Sequence, residues 1–216
     1  MNENEKKLPE VIIFIDGHYL SLIAQSLNNL KIDFYKLSKA LAKEEKLWWH
    51  STYYYYSPPY QSNPPTYEER IKQSNYDKFI NVIKQLKNFT VREGKCQKLP
   101  DGYHEKEVDI LLTIDLMKLK FNKLTDKPIK NIILITTDSD FVPVIKELRE
   151  DNINIILYYY NGSINNNKVI FPYSLSNTCN KTQELTPDLL RNVQLIKDEN
   201  KDKNEAKSKS KLLLNY

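Results

Sequence analysis

Two short apolar runs set the pattern of this chain. Val11-Ile12-Ile13-Phe14-Ile15 and Ile132-Ile133-Leu134-Ile135 are continuous rather than alternating, as strands buried on both faces are. Each stops at a carboxylate, and apolar residues then recur at helical spacing. After the first run come Asp16 and Gly17, then Leu20, Ile23, Leu27 and Leu30. After the second come Thr136-Thr137-Asp138-Ser139-Asp140, then Val144, Ile145 and Leu148. A third run, Ile155 to Tyr160, follows that helix, and the pair of strands around it predicts a right-handed βαβ unit. Asp and Ser are good helix caps, so capping alone accounts for any one of these acids.

The rest of the pattern fills in an α/β chain. Asp33 predicts a cap for a short helix carrying Leu37, Ala40 and Leu41. Leu47 to Tyr56 reads as a strand with Tyr53 and Tyr55 on one side and Tyr54 and Tyr56 on the other. Packing is the plain role for these tyrosines and base stacking the sharper one. Ser57 to Thr66 holds Pro58, Pro59, Pro64 and Pro65, which predicts an exposed loop and a candidate substrate contact. A helix follows from Tyr67 to Lys87, and then a short strand at Phe89-Thr90-Val91. Gly94 to Glu105 reads as a polar connection. Leu112, Leu116 and Leu119 mark a helix that opens near Asp109. Asp115, six residues on, lies about 120° round that helix from Asp109. Lys168 to Phe171 predicts a short edge strand. Thr186-Pro187 predicts a last helix from Asp188 to about Ile196.

Composition adds limits. The chain has 216 residues, 40% of them hydrophobic, and a formal net charge of +4. One domain over residues 11–196 fits that length, with a tail at 1–10 and a Lys-rich tail at 197–216 expected to be disordered. Two cysteines exclude a disulfide framework and a four-cysteine zinc site. No apolar run approaches the roughly 20 residues needed to span a bilayer. The start of the chain lacks the apolar core of a signal peptide, so a soluble cytoplasmic protein without membrane contact is expected. Four glycines leave no phosphate-cradling loop, and His18, His50 and His104 are scattered.

The acids carry the chemistry. Asp16, Asp138 and Asp140 follow strand ends, and Asp109 opens a helix. Carboxyl ends of strands are where ligands bind in open α/β sheets. Several carboxylates on one rim repel unless a cation sits among them, and an all-oxygen donor set selects Mg²⁺ or Mn²⁺. Such a site activates water and stabilises charge on a phosphodiester.

Together, Ile13-Phe14-Ile15-Asp16-Gly17, Lys106-Glu107-Val108-Asp109 with Leu112 and Asp115, and Thr137-Asp138-Ser139-Asp140-Phe141-Val142-Pro143 resemble the NYN domain family. That family is also called LabA-like or DUF88, and belongs to the PIN-like nuclease superfamily. The resemblance spans about Val11 to Tyr160. It implies a three-layer α/β/α sandwich around a mainly parallel sheet. It also implies a divalent-metal-dependent endoribonuclease whose ion, Mg²⁺ or Mn²⁺, is held by Asp16, Asp109, Asp138 and Asp140, with Asp115 as a further acid. RNA is the implied partner, with Lys95, Lys98 and Lys106 to neutralise its phosphates, and a homodimer stays open. Three positions depart from the family pattern. Tyr19 stands where Asn is frequent, Glu107 where Gly is usual, and Thr136-Thr137 replace Ser-Gly. The alternatives are a non-catalytic RNA-binding or assembly module on the same fold, and a phosphotransfer domain built on the same strand-end acids.

Overall fold

The computed structural model describes residues 8–164 and 167–195; both expected tails, apart from residues 8–10, lie outside them. The chain runs β1 (Glu10–Asp16), α1 (Gly17–Ser26), α2 (Phe34–Glu44), β2 (Trp48–Tyr56), α3 (Tyr67–Lys84), β3 (Phe89–Glu93), β4 (Lys95–Leu99), β5 (Gly102–Lys106) and α4 (Val108–Lys120). It continues with β6 (Asn131–Ile135), a 3₁₀ turn (Ser139–Phe141), α5 (Val142–Glu150), β7 (Asn154–Tyr159), β8 (Ser163–Ile164), β9 (Asn167–Lys168), α6 (Tyr173–Thr178), β10 (Lys181–Glu184) and α7 (Pro187–Asn192).

Six strands form one all-parallel sheet in the order β10-β7-β6-β1-β2-β3. Side-chain alternation divides its core in two. Val11, Ile13 and Ile15 of β1, with Ile133 and Ile135 of β6, face helices α1, α2, α3 and α7. Ile12 and Phe14, with Ile132 and Leu134, face α4, α5 and α6. Both faces are covered, which is why these strands show no alternation in the sequence. Fully burying each such side chain stabilises the fold by about 1.5–3 kcal/mol. The result is a three-layer α/β/α sandwich.

The chain builds outward from β1 in two directions: β1, β2, β3 one way, then β6, β7, β10 the other. The reversal between β1 and β6 is the topological switch point, where a crevice opens at the carboxyl ends of the strands. Gly17 lets α1 leave that point closely packed. A Cβ there would stand 2.5 Å from the Tyr55 carbonyl oxygen and 2.6 Å from the Tyr54 ring.

The tyrosines of β2 divide as expected. Tyr54 and Tyr55 are 2% and 0% exposed and belong to opposite faces of the core. Several expectations need correction. The polar stretch from Gly94 is an antiparallel hairpin, β4–β5. The edges of the sheet are β10 and β3, not the segment Lys168 to Phe171; Lys168 pairs with Ser163 in a small hairpin. The strand at β10, Lys-Thr-Gln-Glu, has no apolar signature because an edge strand exposes much of its surface. The proline-rich connection is largely half-buried rather than exposed. Glu69 pins it by accepting from the amides of Ser62 and Thr66 and the Ser62 hydroxyl. These bonds hold the Glu69 carboxyl down at about 2. The last helix ends at Asn192, and Ile196 lies outside the described residues.

Glu107 occupies the N-cap of α4 at φ 73, the left-handed region, where a side chain costs about 1–2 kcal/mol relative to glycine. Its ion pair to Lys95, at 2.8 Å, is exposed and so contributes little. Glu107→Gly should therefore raise stability by about 0.5–1 kcal/mol, read as a higher denaturation midpoint at unchanged m-value. An unchanged or lower midpoint would show that the Lys95 pair offsets the backbone strain.

Candidate active site

Asp16 is the last residue of β1 and the N-cap of α1. Its Oδ1 accepts from the Tyr19 amide at 3.1 Å, and its Oδ2 accepts from the Thr136 hydroxyl at 3.2 Å. The buried Thr136 Oγ1 also accepts from the Asp138 amide at 3.2 Å. One hydroxyl thus ties the ends of β1 and β6 together. Asp138 caps the 3₁₀ turn, its Oδ1 accepting from the Asp140 amide at 2.9 Å. Capping and site-building are therefore the same geometry: each cap fixes a carboxylate at a strand end.

Asp109 lies in the first turn of α4 and stays open to solvent. Its carboxyl is raised above the ordinary range, first by partial dehydration and then by the charges of Asp138, Asp16 and Asp140. Asp16 is raised as well. Burial is the main cause, opposed by the bonds from Tyr19 and Thr136 and by His18, with Asp138 adding to the rise. Asp16, Asp109, Asp138 and Asp140 therefore share one electrostatic neighbourhood. The carboxylates of Asp109 and Asp140 accept no hydrogen bond among the described residues, whereas those of Asp16 and Asp138 are anchored.

Glu105 joins this group, and sequence reasoning missed it. Dehydration raises its carboxyl; His18 opposes the rise, and the charges of Asp16 and Asp109 add to it. His18 Nδ1 stands 3.6 Å from Glu105 Oε1. The only signal was a polar stretch four residues ahead of Asp109; the β4–β5 hairpin brings Glu105 to the rim. Thr136 was noticed only as a departure from the family pattern. The structure gives it the bridging role.

Asp115 is not brought to this rim. Its side chain is 2% exposed and paired with Arg92, whose Nε lies 2.8 Å from Oδ2, and with Lys118 at 2.9 Å. The Tyr55 hydroxyl donates to Oδ2 at 3.1 Å. This node fastens α4 to β2 and β3, and that fastening positions Asp109 at the other end of the site's wall. Lys95, Lys98 and Lys106 all lie on the β4–β5 hairpin. Lys95 pairs with Glu107, Lys98 stands 5.8 Å from the Tyr103 ring centre, and Lys106 is exposed. Tyr19 is buried, its hydroxyl accepting from the Tyr160 amide at 2.8 Å.

Hard oxygen donors in mutual repulsion suit a divalent cation. Among the described residues, no three His, Cys, Asp or Glu side chains already stand as a ligand cage. The donor chemistry fits, and the unengaged carboxylates of Asp109 and Asp140 are the ones open to rearrangement.

An all-parallel α/β/α sandwich with acids at its switch point defines the PIN-like class. The NYN domain model matches residues 10–186, and the chain belongs to that family, a family of PIN-like nucleases. The fold is shared with a solved structure from Vibrio parahaemolyticus, VPA0982, described as a protein of unknown function. That match has a TM-score of 0.56 at 13% identity and covers 90% of this chain and 100% of the other. The search of curated proteins gives no match. No described helix is long and apolar enough to cross a membrane.

Asp109 and Asp115 should respond oppositely to neutralisation. A raised carboxyl is destabilising when ionised, so the penalty is present at neutral pH and is relieved as pH falls through the raised value. Asp109→Asn should melt above wild type in EDTA at pH 7, and the gap should close towards the ordinary carboxylate range. Asp115→Ala leaves the Tyr55 hydroxyl and two cations without their acceptor, and should lose about 1–3 kcal/mol. Thermal melts of both variants between pH 4 and 7 (about the span of these titrations) check this; an Asp109→Asn protein less stable than wild type would refute the crowding.

Proposed function

We propose that this chain is a divalent-metal-dependent endoribonuclease acting through Asp16, Asp109, Asp138 and Asp140, with Mg²⁺ or Mn²⁺ held among them. What supports this reading is that Asp16 and Asp138 follow adjoining strand ends linked through Thr136, and that Asp138, Asp16 and Asp140 all raise the Asp109 carboxyl. Two of these acids are fixed by caps and the Thr136 bridge, and His18 offsets part of the charge on Asp16. A bound divalent ion supplies a water of lowered pKa and charge stabilisation for the scissile phosphate. Asp16 and Asp138 give the ligand set its rigid half, because their strand ends are locked. Asp109 and Asp140 supply the half that adjusts. Lys106 and Lys98 on the neighbouring hairpin offset the charge of the RNA backbone as it approaches an acidic rim. Family membership supports nuclease chemistry, and RNA is the substrate class proposed from it.

A second reading, RNA binding without cleavage, draws on Tyr19. The family's frequent polar residue is replaced by a ring whose hydroxyl is committed to Tyr160, so water positioning at the ion loses one group.

Purified protein should cleave a mixed single-stranded RNA in Mg²⁺ or Mn²⁺ and not in EDTA. Asp16→Asn and Asp140→Asn should each reduce cleavage by at least about 100-fold, the scale expected when a group of the reacting assembly is lost, with the fold retained by circular dichroism. Equal cleavage by all three proteins would overturn the reading. Binding without cleavage by wild type would favour the second.

A further inference from the structure

A large cleft lies beside the acidic rim, and none of Asp16, Asp109, Asp138 and Asp140 lines it. Its volume is about 1040 Å³, at the top of the roughly 300–1,000 Å³ range of ligand sites. It lies among α1, α3, the proline-rich connection and the β4–β5 hairpin, and its lining is mainly apolar and aromatic. His18 and Glu105 line it; His18 lies two residues beyond Asp16, and its Nδ1 stands 3.6 Å from Glu105 Oε1. The cleft is thus continuous with the proposed site of cleavage.

The aromatic lining is arranged in pairs. Tyr56 and Tyr76 stack with ring centres 6.0 Å apart at 17°. Nearer the hairpin, Tyr60 and Tyr103 stand 5.7 Å apart at 45°. Tyr103 is 61% exposed, so much of its ring is accessible to a ligand. Charges of both signs flank the same space, with Asp33, Glu69 and Glu105 beside the lysines. Lys31 and Lys72 line it, and Lys98 lies against Tyr103.

We infer that this cleft is a base-stacking subsite for unpaired nucleotides of a single-stranded RNA, with Tyr103 and Tyr60 as its platform. The inference rests on the ribonuclease reading for the identity of the ligand. A phosphate at the acidic rim would send the adjoining nucleoside past His18 and Glu105 into the cleft. Aromatic side chains there meet the π-face of any base, so the subsite is tolerant of sequence. Lys31, Lys72 and Lys98 follow the phosphates. A duplex keeps its bases stacked on one another and cannot use the cleft, so the substrate class narrows to single strands, loops or ends.

The test uses the full chain in EDTA, where no metal-dependent cleavage competes. Fluorescence anisotropy would measure binding of three labelled probes at one salt concentration: a single-stranded RNA, an abasic RNA of equal length, and a perfect hairpin duplex. The single strand should bind tightest. Tyr103→Leu and Tyr60→Leu should each weaken it by about 5- to 100-fold, the range for loss of one stacked base, and leave the abasic probe unchanged. Tyr103→Phe should keep wild-type affinity, since the ring rather than the hydroxyl is used. Unchanged single-strand binding in both leucine variants would overturn the inference, as would equal loss on the abasic probe. A dimer in light scattering that Tyr103→Leu dissolves would also overturn it and assign the cleft to a second copy of the chain. Cleavage in Mn²⁺ separates the two readings. Ring-dependent binding without cleavage sinks the nuclease reading alone, whereas cleavage indifferent to Tyr60 and Tyr103 sinks the subsite alone.

Discussion

The parallel pairing of β1 with β6 is the constraint on which the site depends. Ile15 sits opposite Ile135, so the next residues, Asp16 and Thr136, leave the sheet side by side. The Thr136 hydroxyl then donates to Asp16 and accepts from the Asp138 amide. A shift of one residue in this register would turn the isoleucines to the wrong core and separate the two acids. The same apolar packing that stabilises the sandwich therefore fixes the spacing of the carboxylates.

Against that rigid centre, α4 packs its apolar face on the sheet and is fastened further by charge. Asp115 draws Arg92 of β3 and Lys118 of its own helix onto one buried carboxylate, and Asp109 is carried to the rim by the same helix. The joint between hairpin and helix is tight: a Cβ on Gly94 would meet the Lys106 carbonyl and the Val108 side chain. Glu107, at positive φ, shows why glycine is the usual family residue there. The turn needs the left-handed region, and here a non-glycine residue takes it at a backbone cost that the exposed pair with Lys95 offsets little.

The departures from the family pattern acquire different meanings once placed. Thr136 strengthens the acid pair by bridging it. Glu107 changes the backbone cost of a turn without leaving the rim. Tyr19 removes a polar group from the vicinity of Asp16 and gives it to the core, where burial lifts its hydroxyl to about 12.

By itself, the sequence determined which strands are buried on both faces and which carboxylates follow strand ends. Continuous apolar runs demand burial on both faces, and an acid straight after such a run has to emerge at a strand end. The tyrosine faces of β2 followed from the period of two. What only the tertiary structure decided were relations between segments distant in the chain. Asp115 looked like a companion of Asp109 on one helix, yet its burial beside Arg92 made it a structural node. Glu105 and His18 lie 87 residues apart and carry no motif; the hairpin brings them together in the lining of the aromatic cleft. The edge strand β10 had no apolar signature, because an edge needs little burial and is recruited by backbone pairing with β7. Local pattern records which side chains must leave water, whereas the meeting of charges across a crevice depends on register and on how a hairpin folds over the sheet.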